Sequence, residues 1–145
     1  MSNSRVESFR TDVFARLQAL IDANELDIVS LRKNDFGITI GNQARDEELY
    51  PIFVMKLKAV RMFDDISGYG EQSIEYLCSI IKTIEKTGTD IESSANTAES
   101  ELVALTEQVI GVITDDTCEI IDGVSYKESI YSGKWAIVSE FVVAK

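Results

Sequence analysis

The stretch Ser73-Ile74-Glu75-Tyr76-Leu77-Cys78-Ser79-Ile80-Ile81-Lys82-Thr83-Ile84-Glu85-Lys86 decides the fold class. Its even positions carry Ile74, Tyr76, Cys78, Ile80 and Ile84, broken only by Lys82, and its odd positions are more polar. Side chains on a strand alternate between faces, so this period of two predicts one apolar and one polar sheet face. Thr87, Gly88, Thr89 and Asp90 follow as turn chemistry, and the period then changes. Ala98, Leu102, Leu105, Val109 and Val112 recur every three or four residues, the stripe of an amphipathic helix. Asn96 with Glu99 three residues on fits a capping box, and Ser93, Ser94 and Thr97 are alternative starts. A strand with an oily face followed by a helix with an oily stripe is half of a two-layer domain. No catalytic motif stands out in it.

Working outward, the chain before this stretch opens with a second amphipathic helix. Val6, Phe9, Val13, Leu17, Leu20 and Ile21 form its stripe with Phe14 beside it, while Arg5, Glu7, Arg10, Asp12 and Arg16 fall mostly elsewhere. Ser4 and Glu7 supply a capping box, and Asn24 a stop. Asp27 to Leu31 reads as a short strand or the approach to one, and Ile38-Thr39-Ile40 as a short strand after the Asn34-Asp35-Phe36-Gly37 turn. Gly41 to Tyr50 holds Arg45, Asp46, Glu47 and Glu48 with little apolar content and reads as an exposed loop. Pro51, the only proline, suits the first residue of a strand. From Ile52 to Phe63 that strand puts Phe53, Met55, Leu57, Ala59 and Phe63 on one face. Ile52, Val54, Val60 and Met62 fall on the other, around Lys56 and Lys58. A loop from Asp64 to Gly70 makes a hairpin with the next strand.

Beyond the second helix, Asp122-Gly123 reads as a turn, Val124 to Tyr131 as a strand, and Ser132-Gly133 as an interruption. Trp135, Ile137, Phe141 and Val143 form the oily face of a last strand, with Ala136, Val138 and Val142 behind. No internal repeat or linker appears, and residues 1–145 read as one domain. The expected fold is α+β, a single two-layer domain of mostly antiparallel sheet with two helices packed on one face. The element order is α-β-β-β-α-β, with one or two strands at the end. Val13, Leu17, Leu57, Ile80, Leu102, Leu105, Val109, Trp135 and Phe141 are the expected core.

At 145 residues the chain is long enough to bury roughly 70% of its unfolded surface. Its hydrophobic share of 45%, with 27% charged, is that of a folded globular protein. A formal net charge of -11 repels DNA and anionic membranes at long range, which argues against DNA binding or a membrane role. Without histidine the usual general base and metal ligand are missing. Cys78 and Cys118 could form one disulfide, but nothing suggests secretion, and Cys78 reads as a buried free thiol on the oily strand face. The start of the chain runs into an amphipathic helix and not an apolar signal core, so an intracellular protein is expected.

Candidate chemistry is thin. Asp64 and Asp65 resemble the first half of a metal-dependent nuclease site, but no lysine has Asp or Glu two positions before it. Asp115, Asp116, Glu119 and Asp122 offer oxygen ligands without the spacing of a calcium loop. Gly68-Tyr69-Gly70 is followed by no phosphate-binding lysine. No catalytic, cofactor-binding or metal site is expected.

The helix from Ser4 to Ile21, the loop ending in Tyr50-Pro51-Ile52-Phe53-Val54, the helix running from Glu99 through Val109 to Asp115 and the closing Tyr131-Ser132-Gly133-Lys134-Trp135-Ala136-Ile137-Val138 together resemble a known family. The chain looks like the tail terminator or tail-completion proteins of long-tailed bacteriophages, the lambda minor tail protein U-like group, and related head–tail joining proteins. The resemblance spans nearly the whole chain through element order and length, not through a residue motif. It implies a structural virion protein and not an enzyme: a hexameric ring that caps the tail tube, stops its growth and meets a neck or connector protein. It also implies DNA passing without specific binding, no membrane partner, and a place in the virion after assembly in host cytoplasm. A neck or head–tail connector of similar build, an acidic adaptor binding a basic partner, and a metal enzyme are the competing classes. The expected subunit interface pairs Arg45, Asp46, Glu47 and Glu48 of one copy with Lys56, Lys58 or Arg61 of the next.

Overall fold

A computed structural model describes residues 5–34, 50–63, 71–84, 91–114, 118–131 and 134–145. Helix α1 (Arg5–Asp22) is followed by strands β1 (Ser30–Arg32), β2 (Ile52–Phe63) and β3 (Glu71–Thr83). Helix α2 (Ile91–Ile113) and strands β4 (Glu119–Tyr131) and β5 (Lys134–Ala144) complete the domain. The strands form one sheet in the order β1-β2-β3-β5-β4. Only β1 runs parallel to its neighbour, so the sheet is mostly antiparallel and the domain is α+β, with both helices on one face.

The period of two on β3 does what it predicts. Ile74, Tyr76, Cys78 and Ile80 are fully buried beneath the helices, with Phe53 and Met55 of β2 and Ile137, Phe141 and Val143 of β5 beside them. Helix α1 brings Phe9, Val13 and Leu17, and α2 brings Ala98, Leu102, Leu105, Val109 and Ile113. Each Val, Leu, Ile, Met or Phe among them contributes about 1.5–3 kcal/mol by leaving water. Lys82, the break in the β3 series, reaches Glu101 of α2 at 2.8 Å. On the opposite face Tyr50, Ile52, Val54, Ile81, Ala136 and Val138 form a smaller buried cluster.

Helix α1 stops as its sequence indicates. Asn24 takes a positive φ of 59°, the Asn24 N–H donates to the Ile21 carbonyl and the Glu25 N–H to the Leu20 carbonyl. That is the paired closure of a helix ended by a left-handed residue. Helix α2 begins at Ile91, ahead of every expected cap, because its Ser and Asn residues sit in the first turns and Thr97 folds its hydroxyl back on the Ser93 carbonyl. The ambiguous 27–31 stretch is the approach to a strand: 27–29 are irregular and β1 begins at Ser30. The proposed strand at 38–40 lies outside the described residues.

Three expectations need correction. Asp122-Gly123 does not turn the chain. Both residues have positive φ, 61° and 77°, and form a bulge inside β4, where the register passes from Ile121↔Val142 to Val124↔Phe141. Asp-Gly favours two successive left-handed residues in either setting, so the dipeptide signals the conformation and not the topology. A second bulge lies between Leu57 and Ala59 of β2. It inserts Lys58 and moves Val60 opposite Ile74 on the helix face, while Ala59 faces Glu75 on the other, reversing the two expected positions. Finally, Leu57 and Trp135 are 46% and 43% exposed and not core. Trp135 pairs with Ile130, one step past the last β3–β5 pair at Thr83↔Ala136, and Leu57 lies past the end of β1 on the outer strand β2. The other seven expected core residues are buried in the main cluster.

Phe141→Ala and Leu105→Ala are each expected to lose about 2–5 kcal/mol in chemical denaturation, from lost transfer energy and the cavity left. Trp135→Ala is expected to lose much less than either. An equal loss at Trp135 would contradict this division of the core.

Candidate functional site

Of the residues named as an interface, Lys56, Lys58 and Arg61 lie on β2. Lys56 is half-buried opposite Leu77, Lys58 is exposed at the bulge, and Arg61 takes a backbone place opposite Ser73. Arg45, Asp46, Glu47 and Glu48 lie outside the described residues, so the structure does not bring the two halves of that interface together. Asp64, Asp65, Asp115 and Asp116 are also outside them. Glu119 and Asp122 stand exposed on β4. Among the described residues no three His, Cys, Asp or Glu side chains gather closely enough to hold a metal ion.

The structure makes these strands outer strands. Strand β1 covers β2 only at Ile52, Phe53 and Val54, and β4 has β5 on one side alone among the described residues. At Met55, where β1 has ended, the edge carbonyl accepts a 3.2 Å hydrogen bond from Nη1 of Arg10. Arg10 is buried, not on the polar face of α1 as the sequence reading placed it. Its other amine meets Glu7 Oε1 at 2.5 Å, its guanidinium lies 5.7 Å from the Tyr76 ring centroid, and Lys33 reaches Glu7 at 3.3 Å. Helical spacing held the signal: position 10 lies four after Val6 and three before Val13, inside the apolar stripe.

Burial works to raise the Glu7 carboxyl, but hydrogen bonds and charge from Arg10 and Lys33 outweigh it and hold it below its ordinary value. Burial raises the Tyr76 hydroxyl. Cys78 is pushed well above the usual thiol range by burial, with a smaller contribution from Cys118, so it is no nucleophile at neutral pH. Both cysteines are free and buried, and Cys118 donates to the Ile113 carbonyl at 3.0 Å.

The second feature of the outer strands is apolar. Leu57 and Val60 on β2, and Tyr126, Ile130 and Trp135 on the β4–β5 hairpin, are all between 40% and 53% exposed. Register places all five on the helix side of the sheet, since they align through their partners with Tyr76, Ile74 and Ile80 or continue that alternation. The sequence does not show Val60 in this grouping, because its face depends on the bulge at Lys58. No helix among the described residues is long and apolar enough to cross a membrane. No protein-family model matches the chain, and no curated protein matches it either.

Glu7 titrates with folding. Its folded-state value is depressed, so its contribution is full above the carboxylate range and is lost as pH falls through the folded value. The melting temperature of wild type is expected to exceed that of Glu7→Gln most near neutral pH, with the gap closing on acidification. A gap that widens in acid would contradict the assignment.

Proposed function

We propose that the chain is a structural assembly protein of a long-tailed phage, a terminator that closes the tail tube as a ring of identical copies and offers a surface to the neck. The reading rests on the element order and on one observation above all. The two long hairpins carry exposed apolar side chains on the outer strands at both sides of one sheet, as a subunit that meets a copy on each side requires. A contact between two different surfaces closes into a ring when its rotation allows, and copies then repeat it at every boundary.

The charge suits the same role. A net charge of -11 keeps single copies apart and soluble, and a ring lining of like sign lets DNA pass without holding it. Tail tube protein and a neck protein are the implied partners, with the virion as the destination.

Negative-stain images of the protein mixed with unfinished tails test the proposal. A ring on the tail end supports a terminator, a ring bound only to the head vertex would reassign it as a connector, and single copies under every condition would overturn both. Reversing Asp46, Glu47 and Glu48 to Lys is expected to leave the fold intact and weaken assembly, more at low salt than at high. Assembly equal to wild type would remove the loop from the interface.

A further inference from the structure

We infer that Asp122 is a site of spontaneous covalent modification, at which the folded chain converts to isoaspartate through a succinimide formed with the main-chain nitrogen of Gly123. This goes beyond the assembly reading and does not rest on it.

The chemistry is internal to two residues. The Gly123 nitrogen attacks Cγ of the Asp122 side chain and a C–N bond forms. One carboxyl oxygen leaves as water, taking the carboxyl proton and the amide hydrogen. Water then opens the five-membered ring at one of its two carbonyls. Opening at the side-chain carbonyl restores Asp122. Opening at the main-chain carbonyl leaves a free carboxylate on Cα and routes the chain through the side chain, so that one methylene joins the main chain. Water is the only co-reactant, released and then taken up, and nothing is oxidised or reduced.

The first condition lies in the sequence. A side chain on the attacking residue hinders its approach, and glycine has none. Asp122 is the only Asp followed by Gly, and no Asn precedes a Gly.

The remaining conditions lie in the fold. Attack requires Asp122 to rotate out of its resting conformation, which a regular ladder on both sides of the residue opposes. Here the register passes from Ile121↔Val142 to Val124↔Phe141, so neither Asp122 nor Gly123 has a residue paired opposite it on β5. Both are exposed, and β4 has β5 alone beside it among the described residues. The place that a side chain on Gly123 would take is open, with nothing within 4 Å. Asp122 itself stands at φ 61°, a left-handed conformation unfavourable to a residue with a side chain, so leaving it is opposed less than leaving an extended one. The bulge therefore opens locally while the pairs on either side of it hold.

The test is incubation of the purified, folded chain at neutral pH beside a free peptide of residues 119–127. Proteolytic maps read by chromatography and mass spectrometry follow both. An isoaspartate peptide elutes apart at unchanged mass, and the ring intermediate is lighter by one water. Far-UV circular dichroism confirms that the chain stays folded throughout. Isoaspartate is expected at Asp122 at a rate within about tenfold of the peptide's, the slowing that about 1.4 kcal/mol of local opening gives. Modification that waited on global unfolding would be slower by about a thousandfold or more. Any slowing beyond tenfold therefore overturns the inference, because the bulge then protects the residue. Asp122→Glu, which would have to close a six-membered ring, is expected to lose the product. A product at this position that persists in Asp122→Glu, or isoaspartate forming equally fast at other aspartates, also overturns it.

Discussion

Among the described residues two helices cover one face of a five-stranded sheet, and the rest of this structure depends on that constraint. Strands β2, β3 and β4 hold 12, 13 and 13 residues, so each extends about 40 Å. Helices of 18 and 23 residues reach only about 27 and 35 Å. Side by side at roughly 8–10 Å between axes, they cover the middle of the sheet and leave Leu57 and Val60 of β2 and Tyr126 and Ile130 of β4 exposed. Burial follows that geometry. Ile74, Tyr76, Cys78 and Ile80 of the central strand β3 are sealed, while Leu57, Val60, Tyr126, Ile130 and Trp135 are exposed on the same face.

Because the cover is small, it is tied down by polar contacts at its margins. Arg16 of α1 donates to the Val112 carbonyl in the last turn of α2 at 2.8 Å, where the helix has unmet acceptors. Gln108 of α2 returns the tie to the Glu25 carbonyl just past α1. Beneath the helices Thr106 and Ser139 share a buried hydrogen bond of 2.8 Å, joining α2 to β5. Such a pair fixes position more than it adds stability, since a net hydrogen bond contributes about 1 kcal/mol. Arg10 does the corresponding work at the sheet edge, where leaving the Met55 carbonyl unmet would cost more than the bond itself gains.

Fold class was legible in the sequence because it rests on periodicity. The alternation at Ile74, Tyr76, Cys78 and Ile80 and the stripes of both helices come from packing against a single core, which leaves a regular trace. What was not legible depends on register. The Lys58 bulge, one residue inserted, shifts which side chains face inward beyond it, so an alternation read straight through it puts Val60 on the wrong face, whereas the two residues of the Asp122-Gly123 bulge leave the alternation in phase. Exposure at Leu57 and Trp135 depends on where neighbouring strands end, which no local pattern encodes. Of the candidate interface, Lys56, Lys58 and Arg61 were found on an outer strand, while Arg45, Asp46, Glu47 and Glu48 lie outside the described residues. Arg10 was visible in its spacing and was discounted for its charge, although Glu7 three residues earlier supplies the partner that lets an arginine be buried.

In the assembly reading proposed above, the exposed apolar surfaces of the outer strands are those a neighbouring copy would complete. Amide hydrogen exchange, compared between dilute chain and chain assembled on tails, tests this most directly. The account predicts new protection concentrated in β2 beyond Met55 and in β4 from Val124 to Tyr131, with β3 equally slow in both states. Protection that arises elsewhere and leaves both outer strands unchanged would contradict it.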